Sequence, residues 1–310
     1  MKFSNANSFK AKIKNIAREK GIPAQQVQQN YLIEQVLKLI SESRYKDSFI
    51  VKGGFLIGQM IGLDKRTTMD LDVTLKGQPL SEENIQSIFK EIINRPSESF
   101  QFEIDRLEPI RQDDEYGGFS LKLNARFDTL REVVIIDITT GDQITPREIS
   151  YQLQSVFSEN KLEVWTYNLE TVLAEKLETI IRRGAASTRP RDRYDLYTLY
   201  HLRKDEIDVP VLKSAVHNTA KKRESLDILI NWEEQLETLR SSDYQNQLWS
   251  RYQKSFRYAS EISFEESVEV VAIIFKTFGD LVLYVDRNFT DDGRPLSSHV
   301  EIVILLENRK

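Results

Sequence analysis

The chain has 310 residues, of which 40% are hydrophobic and 29% are charged, enough for one large domain or two modest ones. It has no cysteine and only three widely separated histidines, which excludes disulfides and cysteine-based zinc sites and argues against a Ser-His-Asp centre. The formal net charge of −5 argues against a globally basic nucleic-acid binder, so any RNA contact is expected to be a local patch. The apolar runs are much shorter than a membrane span and the N-terminus lacks an export-type apolar segment, so we expect a cytoplasmic protein with no membrane partner.

The first part of the chain is predicted to contain helices and short strands. Residues 7–43 have apolar positions at helical spacing and are predicted to form two helices, separated at Gly21-Ile22-Pro23. A further helix is predicted to start near Ser81 and to run to about Ile93. The segments that follow alternate or run apolar, and are predicted to be strands near 99–107, 117–127 and 131–140.

The stretch from Ile50 to Leu75 has the features of a site. The pair Gly53-Gly54 allows a turn with positive φ and a close approach of a ligand to peptide N–H groups. The later part alternates as a half-buried strand does, with Thr68, Asp70, Asp72 and Thr74 on one face and Met69, Leu71, Val73 and Leu75 on the other. Two carboxylates on one strand face can hold Mg²⁺, which uses one or two carboxylates plus substrate phosphates. The alternative is a solvated strand face, but aspartate is depleted in strands and we favour the metal site.

A third carboxylate lies in the apolar run from Val133 to Ile138. This run predicts a strand that is buried on both faces and interrupted only by Asp137. Because a buried unpaired aspartate is costly, we expect Asp137 to lie at the mouth of the sheet and face a cation. The alternative is a strand-end cap before Gly141-Asp142, but Asp70 and Asp72 already require a third ligand.

A helix is predicted over residues 169–183, and it ends at Gly184. Lys176 falls within its apolar stripe, whereas Glu175 and Glu178 fall on the opposite side. A lysine on a buried face either extends its ammonium to the edge or binds an anion, for which a triphosphate is the natural candidate.

The segment after Gly184 is rich in charge. Pro190 suits the first turn of a new helix, on which Asp192 and Asp195 lie on the inward side. They are predicted either to form ion pairs that hold the helix to the core or to serve the site. The densest positive patch of the chain lies here, and phosphate backbones bind such patches; it consists of Arg182, Arg183, Arg189, Arg191 and Arg193.

Residues 224–240 and 244–278 have helical periodicity, and the last thirty residues predict a hairpin.

Four blocks of the sequence resemble a known family. They are Lys52-Gly53-Gly54, the run from Arg66 to Asp72, Glu175-Lys176-Leu177, and the run from Arg191 to Leu196. In this order and spacing they resemble the AbiEii-type toxins of the nucleotidyltransferase superfamily that includes DNA polymerase β, over roughly residues 10 to 280.

The resemblance implies an α+β fold, with an N-terminal nucleotidyltransferase core of a mixed sheet flanked by helices, followed by a helical C-terminal region. We therefore expect a core over 1–165, a helical domain that contributes to the site over 166–280, and a tail over 281–310. The terminal hairpin does not match the helical ending that the family leads us to expect.

The resemblance also assigns roles to individual residues. Asp70 and Asp72 would hold two Mg²⁺ ions that bridge a nucleoside triphosphate, with Asp137 as a third metal ligand. Lys176 would neutralise the β/γ-phosphate oxygens, and Asp192 or Asp195 would orient Lys176, a metal or the acceptor. The nucleotide-binding positions would be Gly53, Gly54, Arg66 and Thr68, together with Lys176.

The resemblance therefore implies that the protein is a toxin of a toxin–antitoxin or phage-abortive system, with a cognate antitoxin as its partner. It would transfer NMP from NTP to an RNA acceptor, in particular to the 3′ end of tRNA, so that translation stops. An alternative keeps this chemistry and changes the acceptor to a protein side chain or a small molecule. A second alternative, of another class, is a non-catalytic RNA-binding or partner-binding module.

Overall fold

The structure is a computed structural model that describes residues 3–95, 100–110, 117–157 and 161–278. The predicted hairpin over 281–310 lies outside these residues. The predicted α+β class is confirmed, because one mixed sheet carries helices and a helical region follows it in the chain. No helix within the described ranges is long and apolar enough to cross a membrane.

Four α-helices lie in the described residues of the first half of the chain, and the predicted pair over 7–43 is confirmed as the first two. The helices are α1 (Ala6–Lys20), α2 (Ala24–Ser41), α3 (Gly53–Ile61) and α4 (Glu82–Ile93). Gly21 ends α1 in the left-handed conformation, with φ of 65°. Ser81 caps α4 by accepting a hydrogen bond from the Asn84 amide, and α4 buries Ile85, Ile88 and Phe89 at helical spacing.

Seven strands form one sheet in the described part of the chain. They are β1 (Phe49–Lys52), β2 (Asp70–Leu75), β3 (Gln101–Ile110), β4 (Gly118–Phe127), β5 (Leu130–Thr139), β6 (Ile149–Gln154) and β7 (Lys161–Thr166). Their order across the sheet is β3-β4-β5-β2-β1-β7-β6. The pairs β2–β5 and β1–β7 are parallel and the other neighbours are antiparallel. The two strands that carry the predicted acidic residues are therefore neighbours.

A buried glutamine of α2 joins these two strands just before their paired residues begin. The side-chain amide of Gln29 donates hydrogen bonds to the carbonyls of Met69 at 2.9 Å and Val133 at 3.1 Å. Gln29 thereby holds both strands to the same point on α2 just before their paired residues begin, and with them the alignment of the acidic residues further along both strands.

The second half of the described chain is helical. Its helices are α5 (Leu169–Arg183), α6 (Pro190–Arg203), α7 (Val209–Lys222), α8 (Leu226–Ile230), α9 (Trp232–Arg240), α10 (Asp243–Ser255) and α11 (Phe264–Thr277). The helix predicted over 169–183 is confirmed. The Tyr194 hydroxyl on α6 donates to the Lys65 carbonyl at 2.6 Å, and an Arg203 guanidinium donates to the Met60 carbonyl at 3.1 Å. The proposed boundary near residue 166 is therefore crossed by partly buried polar contacts.

One local prediction was wrong, and two strands were not predicted. Strand β5 is covered on one face only, since Val133 is 44% exposed and Ile135 and Asp137 are partly exposed, whereas the alternate residues are buried. The helical periodicity of 224–240 and 244–278 is confirmed, and each segment contains two α-helices. Strands β6 and β7 were not predicted, because the edge strand β6 buries only Leu153 and has little hydrophobic periodicity.

Candidate active site

The acidic residues of β2 and β5 lie in adjacent positions across the parallel pair. Asp72 is the register partner of Asp137, and Asp70 lies two residues earlier on the same strand as Asp72. Register partners and residues two apart on a strand project from one face of the sheet, so the three carboxylates share a face. We call this set the acidic row. All three side chains are partly exposed.

One atom of this row is buried without compensation. The Oδ1 atom of Asp137 is inaccessible to solvent, and no hydrogen-bond donor in the described residues reaches it. A buried carboxylate oxygen of this kind carries a desolvation cost unless a partner is supplied. A cation bound between the strands is the kind of partner that it lacks.

The glycine pair makes room for the acidic row. Gly53 begins α3 with φ of 66°, and a Cβ atom added to it would lie 2.0 Å from the Asp72 Oδ2 atom. A Cβ atom on Gly54 would lie 2.8 Å from the Arg66 Nη2 atom and 3.0 Å from the Thr68 hydroxyl. The amino terminus of α3 therefore lies directly against Asp72, and the first peptide N–H groups of a helix are suited to binding an anion.

The described residues could bind a divalent cation if the substrate supplied the remaining ligands. They contain no group of three acidic or histidine side chains that could hold a metal by themselves. Two carboxylates in register, Asp72 and Asp137, suit Mg²⁺, which takes one or two carboxylates and completes its shell with phosphates and water. Asp70 accepts a hydrogen bond from the Thr68 hydroxyl, which orients its carboxylate. The three-ligand set stays a prediction.

Lys176 on α5 is held between two carboxylates of α6. Its ammonium donates to Asp192 Oδ1 at 2.6 Å and to Asp195 Oδ2 at 2.9 Å. Burial lowers the pKa of Lys176, but the charges of Asp192 and Asp195 outweigh it and the net pKa is raised. Burial raises the pKa of Asp192, but the positive charges of Lys176 and Arg189 outweigh this effect, and the net pKa of Asp192 is lowered. The cluster is therefore fully ionised at neutral pH.

Asp195 also binds Arg66, which joins the helical region to the acidic row. The Arg66 Nε atom donates to Asp195 Oδ1 at 2.7 Å, and Arg66 is 2% exposed. Burial raises the pKa of Asp195, but Arg66 and Lys176 lower it to about 2. The structure thus places Arg66 and Asp195 in a buried ion pair, with Arg66 in contact range of Gly54. A direct contact of Arg66 with nucleotide stays a prediction.

The arginine-rich segment is exposed only in part. Arg182, Arg183 and Arg189 are exposed, and the pKa of Arg183 is lowered by burial and by the charges of Arg189 and Arg182. Arg193 does not belong to the predicted patch, because it is 1% exposed and packs over the Trp249 and Phe264 rings. Its charge is buried in the first turn of α6, and burial lowers its pKa to about 10.

The sequence analysis placed one buried charged residue on the wrong side of its helix and did not identify another. Glu178, predicted on the outer side of α5, is fully buried and accepts hydrogen bonds from Arg223 and Arg182. Lys52 was not predicted as a site residue, although it is buried and is the register partner of Asp72. Its position directly before Gly53, in a strand of otherwise apolar residues, was the available signal.

Carboxylates on neighbouring strands of a mixed sheet, beside the glycine that begins a helix, are the type of arrangement that metal-dependent enzymes use for phosphate-bearing substrates. The family model described as "Nucleotidyl transferase AbiEii toxin, Type IV TA system" matches residues 35–270. The chain therefore belongs to the AbiEii family of nucleotidyltransferase toxins.

Comparison with other proteins adds distant likenesses. The crystal structure of JHP933 from Helicobacter pylori matches at 14% identity and a TM-score of 0.44, over 82% of this chain and 93% of that one. An antigenic nucleotidyltransferase-like protein from Paracoccidioides brasiliensis matches at 17% identity and a TM-score of 0.34, over 67% of this chain and 94% of that one. A search of curated protein sequences gives no significant match. The family assignment rests on the family model alone.

Proposed function

We propose that this nucleotidyltransferase transfers NMP from NTP to the 3′ end of an RNA, with tRNA as the acceptor, in a Mg²⁺-dependent reaction that stops translation. The observation that carries the proposal is the register of Asp72 with Asp137, beside Gly53 and with one buried Asp137 oxygen in need of a partner. A magnesium ion supplies charge neutralisation of the triphosphate and lowers the pKa of an attacking hydroxyl.

The residues of the chain would act by binding and orientation. Asp70, Asp72 and Asp137 would hold the metal ions, and the amides at the start of α3 would contact phosphate oxygens. The ammonium of Lys176 has three N–H donors, of which two bind Asp192 and Asp195, so the third would bind a phosphate oxygen. In the transfer, the acceptor hydroxyl oxygen bonds to the α-phosphorus, its proton passes to solvent, and pyrophosphate leaves with the broken bridging bond.

The exposed arginines support an RNA acceptor. Arg182, Arg183 and Arg189 lie where α5 and α6 meet, and Arg189 contacts Asp192 of the Lys176 cluster at 3.2 Å. Positive charge beside the candidate site would bind the backbone of the acceptor strand, and such contacts weaken as salt rises. Because tRNA is met in the cytoplasm, the protein would act there, and we propose a cognate antitoxin gene product as its partner.

The test is a transfer assay. The purified chain is incubated with Mg²⁺, with each NTP labelled at its α-phosphate in turn, and with total tRNA or total protein. We expect label in the tRNA pool, and loss of transfer with D72N, while D105N on the exposed face of β3 retains it. Label in the protein pool would replace the RNA acceptor with a protein acceptor. Absence of label from both pools would contradict the enzymatic proposal.

A further inference from the structure

Lys52 lies next to the acidic row but directs its ammonium away from it. Lys52 and Asp72 are directly opposite in the antiparallel pair β1–β2, so their side chains leave the same face about 5 Å apart. The Lys52 ammonium instead donates to the Thr139 hydroxyl at 2.7 Å and to Asp142 Oδ2 at 2.5 Å. Both partners lie at or beyond the end of β5, past Asp137.

Asp142 is built into this position by several contacts. Its Oδ2 atom also accepts hydrogen bonds from the Thr74 hydroxyl at 2.6 Å and from the Thr139 hydroxyl at 3.0 Å. Gly141, with φ of 75°, turns the chain back after β5 and brings Asp142 over the sheet. The Thr140 hydroxyl donates to the Leu75 carbonyl at 2.9 Å and ties this turn to the end of β2.

The lysine is enclosed on its remaining side by an aromatic ring. Its ammonium lies 5.6 Å from the centre of the Tyr167 ring, and the Tyr167 hydroxyl is hydrogen-bonded to Thr74 at 2.8 Å. The Lys52 side chain is only 7% exposed. In such a buried setting the attraction between opposite charges is several times stronger than in water, so it matters which carboxylate binds this lysine.

We propose that Asp142 is a positioning residue that holds the Lys52 ammonium at the far end of the acidic row, so that Asp72 and Asp137 receive a metal–nucleotide and not the lysine. This inference rests on the proposed function of the acidic row as a metal site. Without the Asp142 charge, the Lys52 ammonium would turn to Asp72, its direct neighbour across the strand pair, and compete with the cation.

The test uses Mn²⁺ alone as the probe, with free Mn²⁺ measured by electron paramagnetic resonance. We expect D142N to weaken Mn²⁺ binding by roughly tenfold, the effect of one additional ion pair at the site. The double variant K52M/D142N removes the competing cation and should restore binding to the wild-type level. A residue that only stabilises the fold would not behave in this way, since a second substitution in the same cluster would leave binding at least as weak.

A second pair of variants, with a less disruptive substitution, tests the proposal if D142N does not fold. T139V removes one of the two hydrogen-bond partners of the ammonium, and we expect a smaller loss of Mn²⁺ binding that K52M/T139V reverses. Circular dichroism of each variant checks that the fold is retained.

The outcomes separate the two proposals. The positioning role would be overturned if the wild type bound Mn²⁺ and neither D142N nor T139V bound it more weakly. It would also be overturned if the double variants did not restore a weakened binding. In both cases the metal site itself would remain supported. Absence of Mn²⁺ binding by the wild type, both alone and with a non-hydrolysable NTP present, would overturn both.

Discussion

At the scale of single residues, Gly53 shows how closely the start of α3 approaches the acidic row. Any side chain there would meet the Asp72 carboxylate, since the added Cβ atom would lie 2.0 Å from Oδ2. We expect G53A to displace Asp72 and to abolish Mn²⁺ binding. Its free energy of unfolding should fall by more than the 1–2 kcal/mol or so that a left-handed backbone alone costs. Urea denaturation and Mn²⁺ titration measure the two effects.

Gly77 provides the matched control for this substitution. Its φ of 69° is close to that of Gly53, but a Cβ atom there meets no atom of the described residues within 4 Å. G77A should therefore lose about 1–2 kcal/mol of stability and bind Mn²⁺ normally. Equal behaviour of the two variants would mean that the space beside Asp72 has no role.

Asp195 gives the protein a specific sensitivity to acid. Its folded-state pKa of about 2 lies below the ordinary aspartate value of about 3.9 because Arg66 and Lys176 stabilise its charge. A lowered folded-state pKa contributes stability that is present above about pH 4 and is lost as the pH falls towards 2. We expect the urea midpoint of the wild type to fall more steeply over this range than that of D195N. Parallel curves for the two proteins would contradict the assignment, and the exposed D64N serves as control.

At the scale of elements, α2 sets the alignment of the two acidic strands. Gln29 binds the carbonyls of Met69 and Val133, so Q29M would leave both without their donor. We expect a loss of about 1–3 kcal/mol in the free energy of unfolding, because two hydrogen bonds worth about 0.5–1.5 kcal/mol each are removed. Weaker Mn²⁺ binding should accompany it. Q25M, at an exposed position of the same helix, should change neither quantity, and an unchanged Q29M would show that α2 does not align the strands.

The elements also show what the sequence could predict. Alternation in β2 and helical spacing in α5 were sufficient to place Asp70, Asp72 and Lys176, because each pattern is local. The exposure of Val133 was not predictable in this way, since an apolar run has the same composition whether one face or both are covered.

Which carboxylate each cationic side chain binds could not be predicted without the fold. Arg66 and Asp195 are 129 residues apart, and Lys52 and Asp142 are 90 residues apart. Nothing in local sequence states which of several carboxylates a given cation binds. The register of β1, β2 and β5 decides it, and strand order across a sheet is a long-range property.

At the scale of the whole molecule, the core and the helical region are joined by buried polar contacts. The Arg66–Asp195 pair and the bond from Tyr194 to the Lys65 carbonyl both cross between them. Because breaking such contacts leaves buried charges unpaired, we expect the two parts to unfold together. Native-state hydrogen exchange should give peptides over 70–75 and 190–203 the same free energy of opening. A lower value for the helical peptide would show two independent units.

The central claim is that the acidic row binds a metal–nucleotide, and anomalous diffraction tests it most directly. Crystals are grown with Mn²⁺ and an NTP whose α–β bridging oxygen is replaced by a methylene group. We predict an anomalous peak about 2.1 Å from carboxylate oxygens of Asp72 and Asp137, with the triphosphate at the start of α3. Manganese and nucleotide bound elsewhere on the protein, with the acidic row vacant, would contradict the account.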